Sequence, residues 1–247
     1  MGFPLMERIV YQQMAELDQR HWWYRARREV IAAMIRRLVE PPSGAKILEI
    51  GCGTGHNLAM LREFGHVDAL ELDEEARAFA EQRLGRSVMS APLPEIEGVA
   101  NRHYDFIGAF DVIEHIENDC AAVNSIAAKL KARGKFVMTV PAHQWMWSAH
   151  DVVNHHKRRY SKRRLKDLIE SSPLRLEAIG YFNSLLFPIA VAERLSSRAR
   201  GKDSADLMLP PGPLNWALEI TFAAERHLIG RLPLPPGLSL FAVASAR

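Results

Sequence analysis

Residues 47–55 read Ile-Leu-Glu-Ile-Gly-Cys-Gly-Thr-Gly, a short apolar run that leads into three glycines spaced by single residues. A buried strand followed by a glycine-rich turn and a helix lets a ligand approach the backbone closely, because the glycines carry no obstructing side chain. Glu71 ends the next apolar run, where its carboxylate can accept hydrogen bonds from the two hydroxyls of a ribose. These features predict a nucleoside-containing cofactor at the carboxyl edge of a parallel sheet.

The pattern on both sides of this stretch predicts an α/β fold. Apolar runs at 67–72, 104–110 and 135–140 alternate with helical stretches of 10–15 residues, which is typical of a doubly wound parallel sheet. A weak strand is predicted near Val88, ahead of the prolines at 92 and 94. The runs 174–181 and 238–244 predict two further strands, separated by more than fifty residues that contain two helical patterns.

Four segments follow from this organisation. We expect an N-terminal helical cap over 1–43, a cofactor-binding core over 44–183, a helical insertion over 184–236 and a closing core strand over 237–247. The cap contains two helical patterns joined by an aromatic and basic segment, His21 to Arg28.

The spacing of the glycines distinguishes between two classes of cofactor. A dinucleotide fingerprint needs a third glycine at position 56, which is His56 in this chain. Glu49, two residues before the first glycine, would repel a pyrophosphate but suits an ammonium group. A cofactor with a ribose, an amine and a sulfonium is S-adenosylmethionine, which the residues favour over a nicotinamide dinucleotide.

The chain resembles the class I S-adenosylmethionine-dependent methyltransferases, within the type 11/23-like bacterial branch. Residues 49–55 (Glu-Ile-Gly-Cys-Gly-Thr-Gly) are similar to the first motif of that family, and 71–73 (Glu-Leu-Asp) to its acidic second motif. Residues 110–116 (Phe-Asp-Val-Ile-Glu-His-Ile) look like its fourth-strand segment, and 134–141 like its fifth strand. The resemblance covers about 45–183 and the final strand.

The resemblance implies a seven-stranded sheet whose last strand is antiparallel, and it implies a cofactor site. Glu49 and the glycines would face the methionine moiety, Glu71 the ribose, and Asp111 the substrate side of the sulfonium. The family often has an acidic residue near the adenine, where this chain has Ser90, and Arg27 is one of three arginines that suit the cofactor carboxylate. The expected cofactor-binding residues are Glu49, Gly51, Cys52, Gly53, Gly55, Asn57, Glu71, Leu72, Ser90, Phe110, Asp111 and Arg27.

Transfer of a methyl group to a hydroxyl needs a base that removes the hydroxyl proton. A neutral histidine is suited to that task near pH 7. His115, His143 and His150 are the candidates, and His143, just after the fifth strand, has the best topological position. Some methyltransferases related to this class use a Glu-His pair with a later histidine to hold a divalent metal. No fixed ligand spacing follows Glu114 and His115, so we expect no metal.

Composition limits the partners. The chain has 247 residues and a net charge of +3, which gives it no general affinity for nucleic acid. Its two cysteines and the lack of a secretory signal pattern favour a cytoplasmic protein. The basic run 157–166 leaves RNA methylation open as an alternative, beside the nicotinamide-dependent oxidoreductase. We expect methyl transfer, favouring oxygen, to a small-molecule or lipid-linked acceptor. The insertion would close the acceptor pocket, with a homodimer interface or peripheral membrane contact through 184–230 as alternatives.

Overall fold

The computed structural model describes residues 15–200 and 209–247. Most of the first predicted helix of the cap, and the segment between the two inserted helices, lie outside these residues. The strands are β1 (Ala45–Ile50), β2 (Gly65–Leu70), β3 (Tyr104–Phe110), β4 (Leu130–Pro141), β5 (Leu174–Phe182) and β6 (Ser239–Ala246). The helices are α1 (Trp22–Met34), α2 (Leu58–Leu61), α3 (Glu74–Leu84), α4 (Asp119–Lys129), α5 (Ala149–Val153), α6 (Lys162–Glu170), α7 (Phe187–Arg200) and α8 (Gly212–Ala223).

Local sequence sets the helix that follows β2. The Asp73 side chain caps α3 by accepting hydrogen bonds from the backbone N–H groups of Glu75 and Ala76, each at 2.9 Å. The helix ends at Gly85, whose φ of 75° favours glycine. Because Asp73 is held in this cap, Glu71 is fixed at the end of β2, two residues before the capping residue.

The sheet has six strands in the order β2-β1-β3-β4-β6-β5. The first four strands are parallel, and β6 runs antiparallel to both β4 and β5, which confirms the predicted antiparallel last strand. The predicted seventh strand is wrong: near Val88 the described chain forms one parallel bridge, Leu70 to Met89. Pro92 and Pro94 follow at once, and a proline cannot donate a ladder hydrogen bond.

The two faces of the sheet carry different layers. One face packs against α1 and α8, and the other against α4 and α6. Phe222 of α8 is fully buried, and the backbone N–H of Trp22 donates to Asn215 Oδ1 at 3.0 Å. The cap and the insertion therefore form one layer over the sheet. Within the described residues, no helix is both long and apolar enough to cross a membrane.

Candidate functional site

A cavity of about 640 Å³ lies beyond the carboxyl ends of the parallel strands, and its volume is in the range of small-molecule sites. Ten of the predicted site residues line it: Arg27, Gly51, Cys52, Gly53, Glu71, Leu72, Phe110, Asp111, His115 and His150. Five do not: Glu49, Gly55, Asn57, Ser90 and His143. The sheet therefore brings together most, but not all, of the residues that the sequence singled out.

The glycine turn forms one wall of the cavity. Gly51 has a φ of +63°, and a Cβ at this position would lie 2.7 Å from Val112 Cγ2. Gly53 has a φ of +55°, and a Cβ there would have no heavy atom within 4 Å. Gly51 is therefore required by packing, whereas Gly53 keeps the backbone open toward the cavity, as close contact with a bound group requires.

Glu71 faces this turn from the end of β2. Its carboxylate accepts hydrogen bonds from the backbone N–H of Gly53 at 2.7 Å and of Asp73 at 2.9 Å. Burial raises the pKa of Glu71, although these two hydrogen bonds oppose the effect. Each carboxylate oxygen has a second lone pair, so the side chain is oriented and can still accept from two vicinal hydroxyls.

Glu49 and Asn57 are buried and lie outside the cavity wall. Glu49 Oε1 accepts from Asn57 Nδ2 at 2.8 Å, whereas Glu49 Oε2 has no hydrogen-bond partner. Burial raises the pKa of Glu49 to about 8. An unpartnered buried carboxylate oxygen beside the glycine turn fits an ammonium group, so these residues suit the amino-acid end of S-adenosylmethionine.

Arg27 crosses from α1 to the ends of β3 and β4. Its Nη2 donates to Asp111 Oδ2 at 2.6 Å and to Thr139 Oγ1 at 2.9 Å, and its guanidinium lies 5.0 Å from the centre of the Trp23 ring. Arg27 Nε is buried and has no partner, so a donor remains for a carboxylate. Arg25 and Arg28, the other candidates, instead bind Glu219 and the backbone of Asp18.

Asp111 has an unusual backbone conformation. Its φ is +58°, a region that residues with a side chain rarely adopt. The conformation turns the side chain toward Arg27 and places the 3₁₀ turn Ile113–His115 against the cavity. Strain of this kind is retained where the surrounding structure holds it, and it often occurs at functional sites.

The other half of the cavity is rich in titratable side chains. His115, His150, His156 and Glu114 all line it, and Glu114 is fully buried. Burial lowers the pKa of His115 to about 4, with a smaller effect from His156, and burial also lowers the pKa of His150. His115 and His150 are therefore neutral near pH 7. The sequence predicted two of them but did not identify His156 as part of the group.

His143 lies away from the cavity. Its ring stacks on Tyr181 with 5.4 Å between ring centres and packs near Trp145 and Phe187. Although His143 follows β4 directly, it does not line the cavity. Ser90 is exposed, and the neighbouring Ala91, Pro92 and Leu93 provide an apolar wall instead.

Several lining residues were not predicted from the sequence. They are His21, Trp22, Trp23, Tyr24, His56, Glu114, Met146, Asn154, His156, Arg159 and Arg194, among others. The aromatic and basic segment from His21 to Arg28 in the predicted cap is the sequence signal that points to Trp22 and Trp23. For Met146, Asn154 and Arg159 the sequence offers no comparable signal, because they lie on irregular segments after β4.

The basic run at 157–166 contributes to internal ion pairs. Arg158 lies 3.0 Å from Asp119, and Arg159 binds the buried Asp151 through Nε at 2.7 Å and Nη2 at 2.9 Å. The first two arginines of the run are therefore committed to carboxylates. This arrangement weakens the case for RNA binding, which needs cations that are available to phosphates.

Exposed apolar side chains lie on both inserted helices, and one of these helices borders the cavity. Leu185, Ile189 and Leu195 on or beside α7, and Leu214, Trp216 and Ile220 on α8, are all exposed. Ala190, Glu193 and Arg194 of α7 line the cavity, so this helix stands at its rim. Clustered exposed apolar residues on a functional face mark a surface that meets another apolar molecule.

Comparison with known proteins agrees with this geometry. Residues 22–179 match the family described as "Methyltransferase domain". A "Probable S-adenosylmethionine-dependent methyltransferase" of Mycobacterium tuberculosis is 30% identical over 128 residues, which are 51% of this chain and 45% of the relative. The "Ubiquinone biosynthesis O-methyltransferase" of Xylella fastidiosa is 29% identical over 107 residues, 40% of this chain and 44% of the relative.

The chain thus spans less than half the length of these two curated relatives. A TehB-like S-adenosylmethionine-dependent methyltransferase of Corynebacterium glutamicum has the same fold, with a TM-score of 0.56, 20% identity and 97% of each chain covered. The family match and the names of the relatives confirm the predicted family and its cofactor, S-adenosylmethionine.

Proposed function

The chain belongs to the methyltransferase domain family, and on that premise we propose that it transfers a methyl group from S-adenosylmethionine to a hydroxyl of an amphiphilic, lipid-linked acceptor. The observation that carries this proposal is a single cavity with two chemically different halves. One half holds Gly53, Glu71 and Arg27, and the other holds neutral histidines below an apolar rim. The first half suits the cofactor and the second suits an acceptor that must lose a proton.

The cofactor would be held by four side-chain or backbone groups. Glu71 accepts from the ribose hydroxyls, Gly53 allows the cofactor to approach the turn, and Arg27 Nε meets the carboxylate. Glu49, which is buried beside the turn and does not itself line the cavity, supplies the negative charge that favours the ammonium group. When bound, S-adenosylmethionine supplies an electrophilic methyl group whose leaving group is a neutral thioether. The protein then has to place an acceptor oxygen in line with that methyl group.

The acceptor half supplies the proton transfer. As the new carbon–oxygen bond forms, the hydroxyl proton has to leave, and a neutral histidine accepts it. His115 and His150 line the cavity and are neutral near pH 7, whereas His143 does not line it. Oxygen is favoured as the acceptor atom because these bases are present, and a distant relative is named an O-methyltransferase.

The exposed apolar rim supports an acceptor with a lipid tail. Ile189 and Leu195 are exposed on the helix whose other residues line the cavity, so a tail lying along α7 would bring its polar head to the histidines. The same surface would rest on a bilayer that contains the acceptor. A fully water-soluble acceptor would gain nothing from this rim.

Two experiments test the proposal. Calorimetric titration should show binding of S-adenosylhomocysteine and no binding of NADH; the reverse result would reject methyl transfer. Incubation with methyl-labelled S-adenosylmethionine and either a lipid extract or an aqueous extract of cells should then place the label in the lipid fraction. Ile189→Gln with Leu195→Gln should reduce that labelling and leave S-adenosylhomocysteine affinity unchanged. Leu232→Gln, at an exposed leucine outside the cavity wall, is the control.

A further inference from the structure

Glu114 is an unusual residue in this cavity wall. Its side chain is 0% exposed, and neither carboxylate oxygen has a hydrogen-bond partner in another described residue. Burying a carboxylate without a donor is costly, so native structures pair such groups with a cation or with hydrogen bonds. The two oxygens of Glu114 therefore indicate that a positively charged partner belongs beside them.

The rings of two histidines lie close to the Glu114 carboxylate. One ligand atom from each of Glu114, His115 and His156 lies within 4.8 Å of the other two. The rings of His115 and His156 are 4.7 Å apart and nearly perpendicular, so they do not stack on one another. Three ligand-type atoms at these separations are compatible with a shared cation after small side-chain adjustments.

Each ring is already oriented by a second partner. His156 Nδ1 donates to Asp151 Oδ1 at 2.9 Å, and the His115 ring is hydrogen-bonded to the backbone of Asn154. In each ring one nitrogen is thus engaged with an oxygen, which leaves the other nitrogen as the ligand atom. Histidines that bind metals are usually oriented in this manner by a carboxylate or a carbonyl.

The partner of His156 is itself rigid. Asp151 is fully buried, accepts from Ser148 N at 2.9 Å, and forms two hydrogen bonds with Arg159. The charge of Asp151 is therefore balanced by Arg159. Asp111, the other nearby carboxylate, is balanced by Arg27. Glu114 is the acid of this group that has no cation of its own.

We propose that Glu114, His115 and His156 bind a divalent transition-metal ion on the acceptor side of the cavity. Two imidazoles and one carboxylate on one face of an ion leave its remaining positions open, and imidazole ligands favour zinc, iron, nickel or copper over magnesium. This proposal departs from the expectation of a metal-free site. That expectation rested on irregular histidine spacing, whereas the fold brings His156 to residues about forty positions earlier.

The site deepens the proposed function, and in this respect it depends on it. An ion facing the cavity would bind the hydroxyl of the acceptor and lower its pKa, so that the oxygen becomes a better nucleophile. With His115 committed to the ion, His150 is the one of the two candidate bases in the cavity wall that remains to accept the proton. The metal site itself can be measured without any turnover.

Cobalt(II) is the probe, because its absorption spectrum reports its ligands. The protein is freed of metal with a chelator and titrated with CoCl₂, with ZnCl₂ as a competitor. We expect one saturable Co²⁺ per chain, displaced by Zn²⁺. His156→Ala and Glu114→Gln should each weaken Co²⁺ binding by at least about 30-fold, since each removes a ligand.

Matched variants separate ligation from a general effect of charge. His155→Ala, at the exposed neighbour of His156, and Glu117→Gln, at an exposed acid near Glu114, should change Co²⁺ affinity by less than about twofold. Thermal unfolding and S-adenosylhomocysteine binding show that each variant is folded. X-ray absorption of the zinc-loaded wild type should show imidazole nitrogens at about 2.0–2.1 Å, whether or not every variant folds.

The proposal would be overturned by an absence of saturable Co²⁺ binding to the wild type, by equal affinities for His156→Ala and His155→Ala, or by a zinc spectrum without imidazole. Loss of methyl transfer with intact Co²⁺ binding would count against the proposed function and leave the metal site standing. Retained Co²⁺ binding in Glu114→Gln would remove the carboxylate from the ligand set and refute the site as described.

Discussion

Arg27 Nη2 lies 2.6 Å from Asp111 Oδ2 and joins the first described helix to the end of β3. The arginine side chain is 3% exposed and that of the aspartate 26%, so the pair is largely shielded from solvent. Because β3 also carries the turn with Glu114 and His115, this contact sets the position of α1 relative to both halves of the cavity. The cap therefore forms part of the site.

Arg27→Lys should weaken S-adenosylhomocysteine binding by about 1.5–3 kcal/mol, the scale of hydrogen bonds to a charged group. Lysine keeps the charge but cannot reach Asp111, Thr139 and the cofactor carboxylate with one planar fork. Calorimetric titration measures the effect. Arg25→Lys, at an arginine that binds Glu219 on the surface, should leave the dissociation constant unchanged. Equal values for Arg27→Lys and the wild type would exclude Arg27 from the cofactor site.

Glu71→Ala should also reduce S-adenosylhomocysteine affinity by about 1.5–3 kcal/mol, because the ribose loses its acceptor. Glu71→Gln is the matched variant, since it preserves the shape of the side chain but replaces one acceptor oxygen by an NH₂ donor. We expect an intermediate loss for that variant. If both variants are folded and bind as tightly as the wild type, the assignment of the ribose to Glu71 is wrong.

The affinity for S-adenosylhomocysteine should rise with pH up to about 8. In the free protein burial raises the pKa of Glu49 to about 8, so below that pH the side chain is mostly protonated. The ammonium group of the ligand favours the ionised form and lowers this pKa, so binding releases a proton and strengthens as pH increases. Glu49→Gln should remove this part of the pH dependence. A wild-type profile that matches that of Glu49→Gln would contradict the contact.

Glu225→Ala should destabilise the protein by about 3–5 kcal/mol, the range for removal of one partner from a buried charged contact. Glu225 is fully buried and accepts from the backbone N–H groups of Asn183, Ser184 and Leu185 at 2.7, 2.6 and 2.8 Å. Urea unfolding measures the change. Glu219→Ala, on the preceding helix, breaks a pair with the exposed Arg25 and should cost less than about 1 kcal/mol. Similar losses for the two variants would disprove the structural role of Glu225.

Glu225 also changes how the insertion can be tested. The proposed cofactor residues all precede residue 184, so replacement of the insertion by a short turn would be the simplest test of its role. In the structure Glu225 holds the chain at 183–185, and Phe222 belongs to the core. Removing the whole insertion would expose that core, so point substitutions on the exposed faces of α7 and α8 are the sharper experiment.

The parts of the site that the sequence predicted are those that local patterns determine. Gly51, Gly53 and Glu71 are tied to their strands by a turn or by one residue, so their place at the sheet edge follows from the strand itself. His156 and Arg159 could not be predicted, because they lie on an irregular segment and their partner, Asp151, is defined by the fold. The basic run left RNA methylation open as an alternative, whereas in the structure Arg158 and Arg159 turn inward to Asp119 and Asp151.

The position of β6 has a consequence for the order of events during synthesis. This strand pairs on one side with β4 and on the other with β5, so the antiparallel half of the sheet has a gap until residues 239–246 leave the ribosome. The parallel half, β1 to β4, has all its neighbours by residue 141. The nascent chain can therefore form the glycine turn and position Glu71 early, while the edges of β4 and β5 stay exposed until β6 is made. Exposed edges of this kind associate with other chains, so this interval is the stage at which a chaperone would protect the protein.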